Sequence, residues 1–552
     1  MFSIDEEDES QTFKNTNSDS ETVTIPVTST KTTGSVTSEW DWMISSYQIG
    51  TESPVSVEGT SFTAGGLTVS KSGNELSVIS LAMSSVNRGS HDYWINSNGR
   101  TDDLDLSPAD WSSVSETSPI DLSKMDFTKD DYSSAVGAFS MTTANCYIIR
   151  HAGTYKLPLV YGNAVVNGND NEQSFYPNVT GGEYRLSRFV NHNGNGITSA
   201  FIENNTGCTA ASCSIVRQDE ASVIKNLSII GNTLAAGNYT KDNVRYLQFT
   251  IDDATICQNN SVIAIKDGSG NIMWSWHIWT TNDPALLTPA IPVTNKAGII
   301  YNFFPLGGLG YVEPTDYPSK DQVIITLKQS LSGNIVNITV DQPMVLGFAK
   351  SNYYQYGRKD PMCRKDSPQF GVFKRDGIGK VNLQTAIMNP NTFYRYDSGL
   401  HNWCSATYYN LWTGKKSIGG EMEDDAEIIK TVYDPSPVGY KMPASNAFTG
   451  FTTTGKESSM ISQFNVSGSY NTGWNFYTNS SHNSTIFFPA LGYREISGGE
   501  VKNAGSKAYY WTAITVFEGD GYHLRFASDI VCPLDTGYGR EAGFTIRPVK
   551  EQ

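Results

Sequence analysis

The sequence predicts a mainly β protein of several domains, and three observations carry that reading. The chain has 552 residues, more than one hydrophobic core of roughly 250 to 300 residues can serve, so two to four domains are expected. Hydrophobic residues make up 38% and aromatic residues 12%, which fills several cores and excludes wholesale disorder. Charged residues are only 17%, and Ser, Thr, Asn and Gly take most other polar positions. That usage favours strands and turns over long helices.

Taken in order, residues 1–20 are polar and acidic and are expected to form a disordered leader. From residue 21 the run TVTIPVTSTKT alternates as a strand does, as does NELSVISLAM at 74–83. In CYIIRHAGTYKLPLVYGNAVVNG (146–168), Tyr147, Ile149, a turn at Gly153, then Leu157, Leu159 and Tyr161 predict a hairpin with one buried face. The polar stretch 84–135 is too long for an ordinary connection and reads as a decorated insertion anchored by Trp94 and Trp111.

A second β block runs from about 182 to 283, with strands expected at 221–231, 244–252, 261–267 and 271–281. DGSG (267–270) supplies the turn between the last two. Ile272, Trp274, Trp276 and Ile278 then share one face, and Met273, Ser275, His277 and Trp279 the other. Three prolines in NDPALLTPAIPVTNKAG (282–298) mark a domain boundary. Beyond it come aromatic and Gly-rich motifs, with helix only in short pieces at 383–390 and 445–451.

A net charge of -16 with no basic run to offset it disfavours nucleic acid as a partner. Seven scattered Cys include no CxxC pair; Cys208 and Cys213, the close pair, are either a small loop disulfide or two unpaired thiols. No HExxH or GxSxG occurs. GFTTTGKE (450–457) approaches a phosphate loop, but Glu457 stands where a magnesium-binding hydroxyl is needed. A lone His277 among Trp residues reads as a hydrogen-bonded structural group. EMEDDAE (421–427) and DDLD (102–105) read as solvated loops, with calcium as the alternative. Trp474, Tyr477 and Tyr522 are the candidate ligand-binding residues. A sugar's apolar face stacks on an aromatic ring while nearby amides, as in SYNTGWNFYTNSSHNS (469–484), bind its hydroxyls. The opposing reading of Trp474 is a loop anchor in the core. No cofactor is called for.

ANCYIIRHAGTYKLPLVYGNAVVNG, SVIAIKDGSGNIMWSWHIWTT and YNFFPLGGLGYVEP, in that order, resemble the fimbrillin-like surface proteins of Bacteroidales, particularly the large forms with an extra C-terminal domain. YYQYGRKDP, KTVYDPSPVGYKMP, FFPALGYRE, YYWTA and GFTIRPV are similar to the Fibrobacter succinogenes major paralogous domain, whose pattern looks related to C-type-lectin-like folds. After the leader at 1–20, the resemblance implies two β-sandwich (transthyretin-like pilin) domains at 21–180 and 181–298, and an α+β lectin-like domain at 299–552. It implies a non-enzymatic tip adhesin of a cell-surface pilus, exported from a Gram-negative bacterium as a lipoprotein precursor. Its partners would be other pilin subunits, through a donated strand, and a host or microbial receptor, glycan or protein, through the C-terminal domain. The closing GFTIRPVKEQ is expected to be the last core strand, with no tail to donate, which places the subunit at the tip. The family's lipobox Cys has no counterpart before Cys146, and the first Arg is Arg88. The alternatives are a surface protein that captures glycans for nutrition and, on the lectin-like fold, a formylglycine-type enzyme, for which Cys363, Cys404 and Cys532 are too widely spaced. EPT (313–315), DQPM (341–344) and WNF (474–476) each depart from the calcium-lectin motifs.

Overall fold

The computed structural model describes the chain except residues 14–20, 81–85, 88–117, 178–184, 221, 254, 313–314, 317–319, 343–348, 363–380, 395–400, 407, 415–424, 426, 497, 517–519 and 552. It is mainly β, with 43% strand and 8% helix. The chain forms two compact units, Met1–Ser90 with Pro314–Gly347, and His91–Glu313 with Phe348–Gln552.

The first unit is built of short strands of β-branched residues and Ser. Glu21–Pro26 pairs antiparallel with Glu75–Ser80, and Leu67–Ser72 and Ser61–Ala64 complete that four-stranded sheet. A five-stranded sheet runs in the order Ser10–Thr12, Ile335–Gln342, Lys320–Gln329, Trp42–Ile49, Val55–Gly59. Between the sheets lies a core that includes Ile25, Trp42, Ile44, Val69, Leu76, Val323, Ile325, Leu327, Ile338 and Val340. Alternation puts every second residue of these strands inside.

Two expectations fail here. The expected leader is ordered over residues 1–13: Phe2–Ser3 pairs with Thr28 and Ser29, Ser10–Thr12 runs parallel to Thr339–Asp341, and the only bulky apolar residues after Phe2, Ile4 and Phe13, are buried. Residues 320–342, assigned above to the C-terminal domain, form instead a hairpin that completes the first unit. Their apolar face has its complement in residues 25–78, a match of surfaces that local pattern does not reveal.

In the second unit, Ile120–Asp121, Gly153–Pro158, Tyr246–Ile251 and Lys225–Ile230 form one sheet. Cys146–Ile149, Ile272–Thr280, Asn259–Lys266 and Ser212–Gln218 form another. The hairpin expected over 146–168 is therefore absent: Cys146–Ile149 pairs parallel with His277–Thr280, while Gly153–Pro158 pairs antiparallel with Tyr246–Ile251. All of Cys146–Ile149 is buried, so its alternation marks no solvent face.

The DGSG turn is as expected. Asp267 accepts hydrogen bonds from Ser269 N, Asn271 N and Asn271 Nδ2, and Gly270 takes φ +84°. A bulge at Ile265/Lys266 immediately precedes the turn, and both faces of Ile272–Thr280 are covered. The proline-rich segment is no boundary between units. Ile291–Thr294 pairs with Ile300–Phe303, whose Phe303 pairs with Val549 near the chain's end. One core cluster runs from Ile120 to Val549, so strands of the two expected sandwiches and the C-terminal block share an interior. The short helices form as Leu383–Met388 and a 3-10 segment Ser445–Phe451. Trp94, Trp111 and DDLD lie outside the described residues.

Ile325→Ala, by removing a fully buried side chain from the first unit, is expected to cost about 2–5 kcal/mol. In native-state hydrogen exchange the lost protection should fall on amides of 21–26 and 67–80. Loss falling instead on 259–280 would contradict the division of units.

Candidate functional site

Residues 1–13 are held at the first unit's sheet edges by two short pairings. The backbone of Met1 exchanges hydrogen bonds with Thr30 at 2.6 and 2.8 Å. Further along, Thr339 N donates to Glu9 O at 2.8 Å and Phe13 N to Asp341 O at 3.0 Å. These two- and three-residue strands carry little backbone pairing of their own. Phe13, 1% exposed, and Ile4 supply the apolar contact. The edge beneath Ser10–Thr12 is the strand Ile335–Gln342.

The nominated ligand residues are not gathered on a surface. Trp474, on Gly473–Tyr477, is 4% exposed; its Nε1 donates to Ala527 O at 2.9 Å, and Tyr470 and Phe464 pack edge-on against its ring. With its faces covered it cannot stack on a sugar, which favours the loop-anchor reading. Tyr522 is also buried, and its carbonyl accepts from Thr512 Oγ1. Tyr477 is half-buried and stacks on His482 with centroids 4.1 Å apart.

His277 is part of a buried polar cluster. Its Nε2 donates to Asn260 Oδ1 at 2.8 Å, which Asn352 Nδ2 also reaches at 2.9 Å. Arg217 joins Asn352 Oδ1 and Asp219. Gly310, at φ +74°, admits this cluster: a Cβ there would lie 2.0 Å from Asn352 Nδ2. Burial, aided by the Arg217 charge, pushes the imidazole down to about 3. Cys208 and Cys213 are unpaired thiols, with Cys208 Sγ 3.9 Å from His192 Nδ1. Burial raises the Cys208 thiol to about 11, which leaves it protonated and a poor nucleophile at neutral pH.

Sequence reasoning missed a surface cleft lined by Ile299, Ile300, Tyr301, Asp425, Lys441 and Lys550 among others. Asp425, from the acidic run, is committed elsewhere. Asn295 Nδ2 and the Tyr301 hydroxyl donate to its Oδ1 at 2.6 and 2.7 Å, and Asn446 Nδ2 to its Oδ2 at 3.1 Å. It acts as a loop fastener. Glu427 faces Lys441 at 3.8 Å, and residues 421–424 and 426 of the run lie outside the described residues. Exposed Ile299 and Ile300 give the cleft an apolar wall beside these charges. The signal in sequence was the pair of isoleucines after the Asn-Lys-Ala-Gly turn, which pattern reading absorbs into a strand.

The histidines set an acid limit. His277 and His523, the latter lowered by burial to about 4, are neutral when folded but take up a proton near pH 6.5 when unfolded. Their stabilisation is complete above pH 6.5 and falls as pH drops toward the folded values. Urea unfolding at pH 7 and 4.5 should show His277 responsible for about 3 kcal/mol of the loss. His277→Gln should flatten the dependence; an unchanged pH slope in that variant refutes the assignment. No protein-family model, curated protein or solved structure matches this chain.

Proposed function

We propose that this chain is a tip subunit and adhesin of a cell-surface pilus, joined to its stalk by strand addition and binding a receptor through its C-terminal part. The observation that carries the reading is the seating of residues 1–13. Two short edge strands hold Ile4 and Phe13 in the first unit's core, the arrangement expected where one strand is to be exchanged for another. An incoming strand would satisfy the same backbone groups of Ile335–Gln342 and offer longer pairing. Lys14, the first basic residue, directly follows Phe13 and offers a cleavage point.

The resemblance to fimbrillin-like proteins supports the surface location, the pilin partners and the sandwich layout. The lectin-like layout of the C-terminal part is supported by the pairing of Phe303 with Val549, which brings its two ends together. The cleft beside Ile300 and Lys441 is then the surface for a receptor, in place of the buried Trp474 and Tyr522.

The test is limited cleavage after Lys14 followed by incubation with a stalk pilin. A complex that survives denaturant, and fails to form without cleavage, is the expected result. If the cleaved chain takes up no pilin strand, the tip-subunit reading fails. Receptor binding is measured on glycan and host-protein arrays with the full chain, since 299–552 alone would strip the first unit of its hairpin. Silence on both arrays would remove the adhesive role.

A further inference from the structure

The chain passes from the first unit to the second at 90/91, returns at 313/314, and leaves again at 347/348. What it inserts on its return is the hairpin Lys320–Gln342, and this hairpin occupies the middle of the five-stranded sheet. Lys320–Gln329 lies between Trp42–Ile49 and Ile335–Gln342, registered from Val323 opposite Ile49 to Gln329 opposite Trp42. Val323, Ile325, Leu327, Ile338 and Val340 are fully buried among side chains from residues 4–78.

We infer that this hairpin is an internal anchor, which keeps the second unit joined to the first by strand pairing even when the covalent link at 90/91 is cut. Three features support it. Lys320 pairs with Gln342, so both connections to the second unit leave from one end of the hairpin and the turn Ser330–Asn334 lies at the other. A pull on both connections along the strand axis would load the seven pairings with Trp42–Ile49 together rather than one by one. Gln329 adds a side-chain tie, donating to Ser29 Oγ at 3.0 Å, and Gln342 Nε2 another, to Gly65 O at 2.9 Å. Gly65, at φ +56°, is where a Cβ would meet Val323, so the loop of the first unit closes directly on the hairpin. The inference is independent of the pilus reading.

A specific protease site inserted between residues 90 and 91 of the full chain tests it. After cleavage the two pieces should run as one species on size exclusion in native buffer and separate in urea. Separation in native buffer overturns the inference. Ile325→Asp in the same chain removes the apolar contact at the hairpin's centre. Its pieces should part without denaturant while circular dichroism of the uncut variant retains the second unit's signal. If the Ile325→Asp pieces stay together, some other contact holds them and the anchor is refuted.

Discussion

Buried carbonyls are the constraint on which the second unit depends. Much of its chain is neither helix nor long strand, yet it is packed inside, so its backbone oxygens need donors that no ladder supplies. Side chains supply them. Arg358 reaches the carbonyls of Ala386, Asn389, Pro390 and Thr392, which closes the end of the helix Leu383–Met388. Arg547 gathers Phe304, Pro305 and Phe487. Asn145 donates to Val432 and Asp434, and Asn163 to Thr431 and Asp434, which ties residues more than 260 apart in sequence.

A guanidinium inside a protein is costly unless bonded, and its planar fork suits several carbonyls at once. Aromatic faces complete the arrangement. Arg547 lies 4.4 Å from the Phe488 ring and Arg358 5.3 Å from that of Tyr394. Among the described residues Arg540 has no hydrogen-bond acceptor, and it rests on Tyr356 at 4.9 Å, so there an aromatic ring helps to offset burial. The aromatic and Arg residues of the C-terminal motifs thus help to hold irregular chain in the buried interior.

The first unit solves a different problem. Its strands are short, and strands so short need a closed set of partners to be stable. It takes those partners from residues 1–80 and from the hairpin at 320–342, which lies between the two segments of the second unit. The N-terminal segment is its lightly held member and the hairpin its firmly held one.

The sequence by itself determined the mainly β character, the strands near 21–26, 75–80, 225–230, 246–251, 259–266 and 272–280, the DGSG turn and the two short helical pieces, because each follows from local pattern and turn chemistry; the strands between 36 and 72 and at 212–218 were not legible in it. It also pointed to His277 as a structural histidine. Only the tertiary structure decided that Cys146–Ile149 and Gly153–Pro158 go to different sheets, that 320–342 leaves its neighbours, and that Ile4 and Phe13 order the acidic start. In each case the strand's pattern says which face is apolar but not which distant surface covers it. The same reason hid the cleft: Trp474 carries a ligand-binder's chemistry in sequence, yet Phe464 and Tyr470 enclose it, whereas Ile299 and Ile300, ordinary strand residues by pattern, stay at the surface.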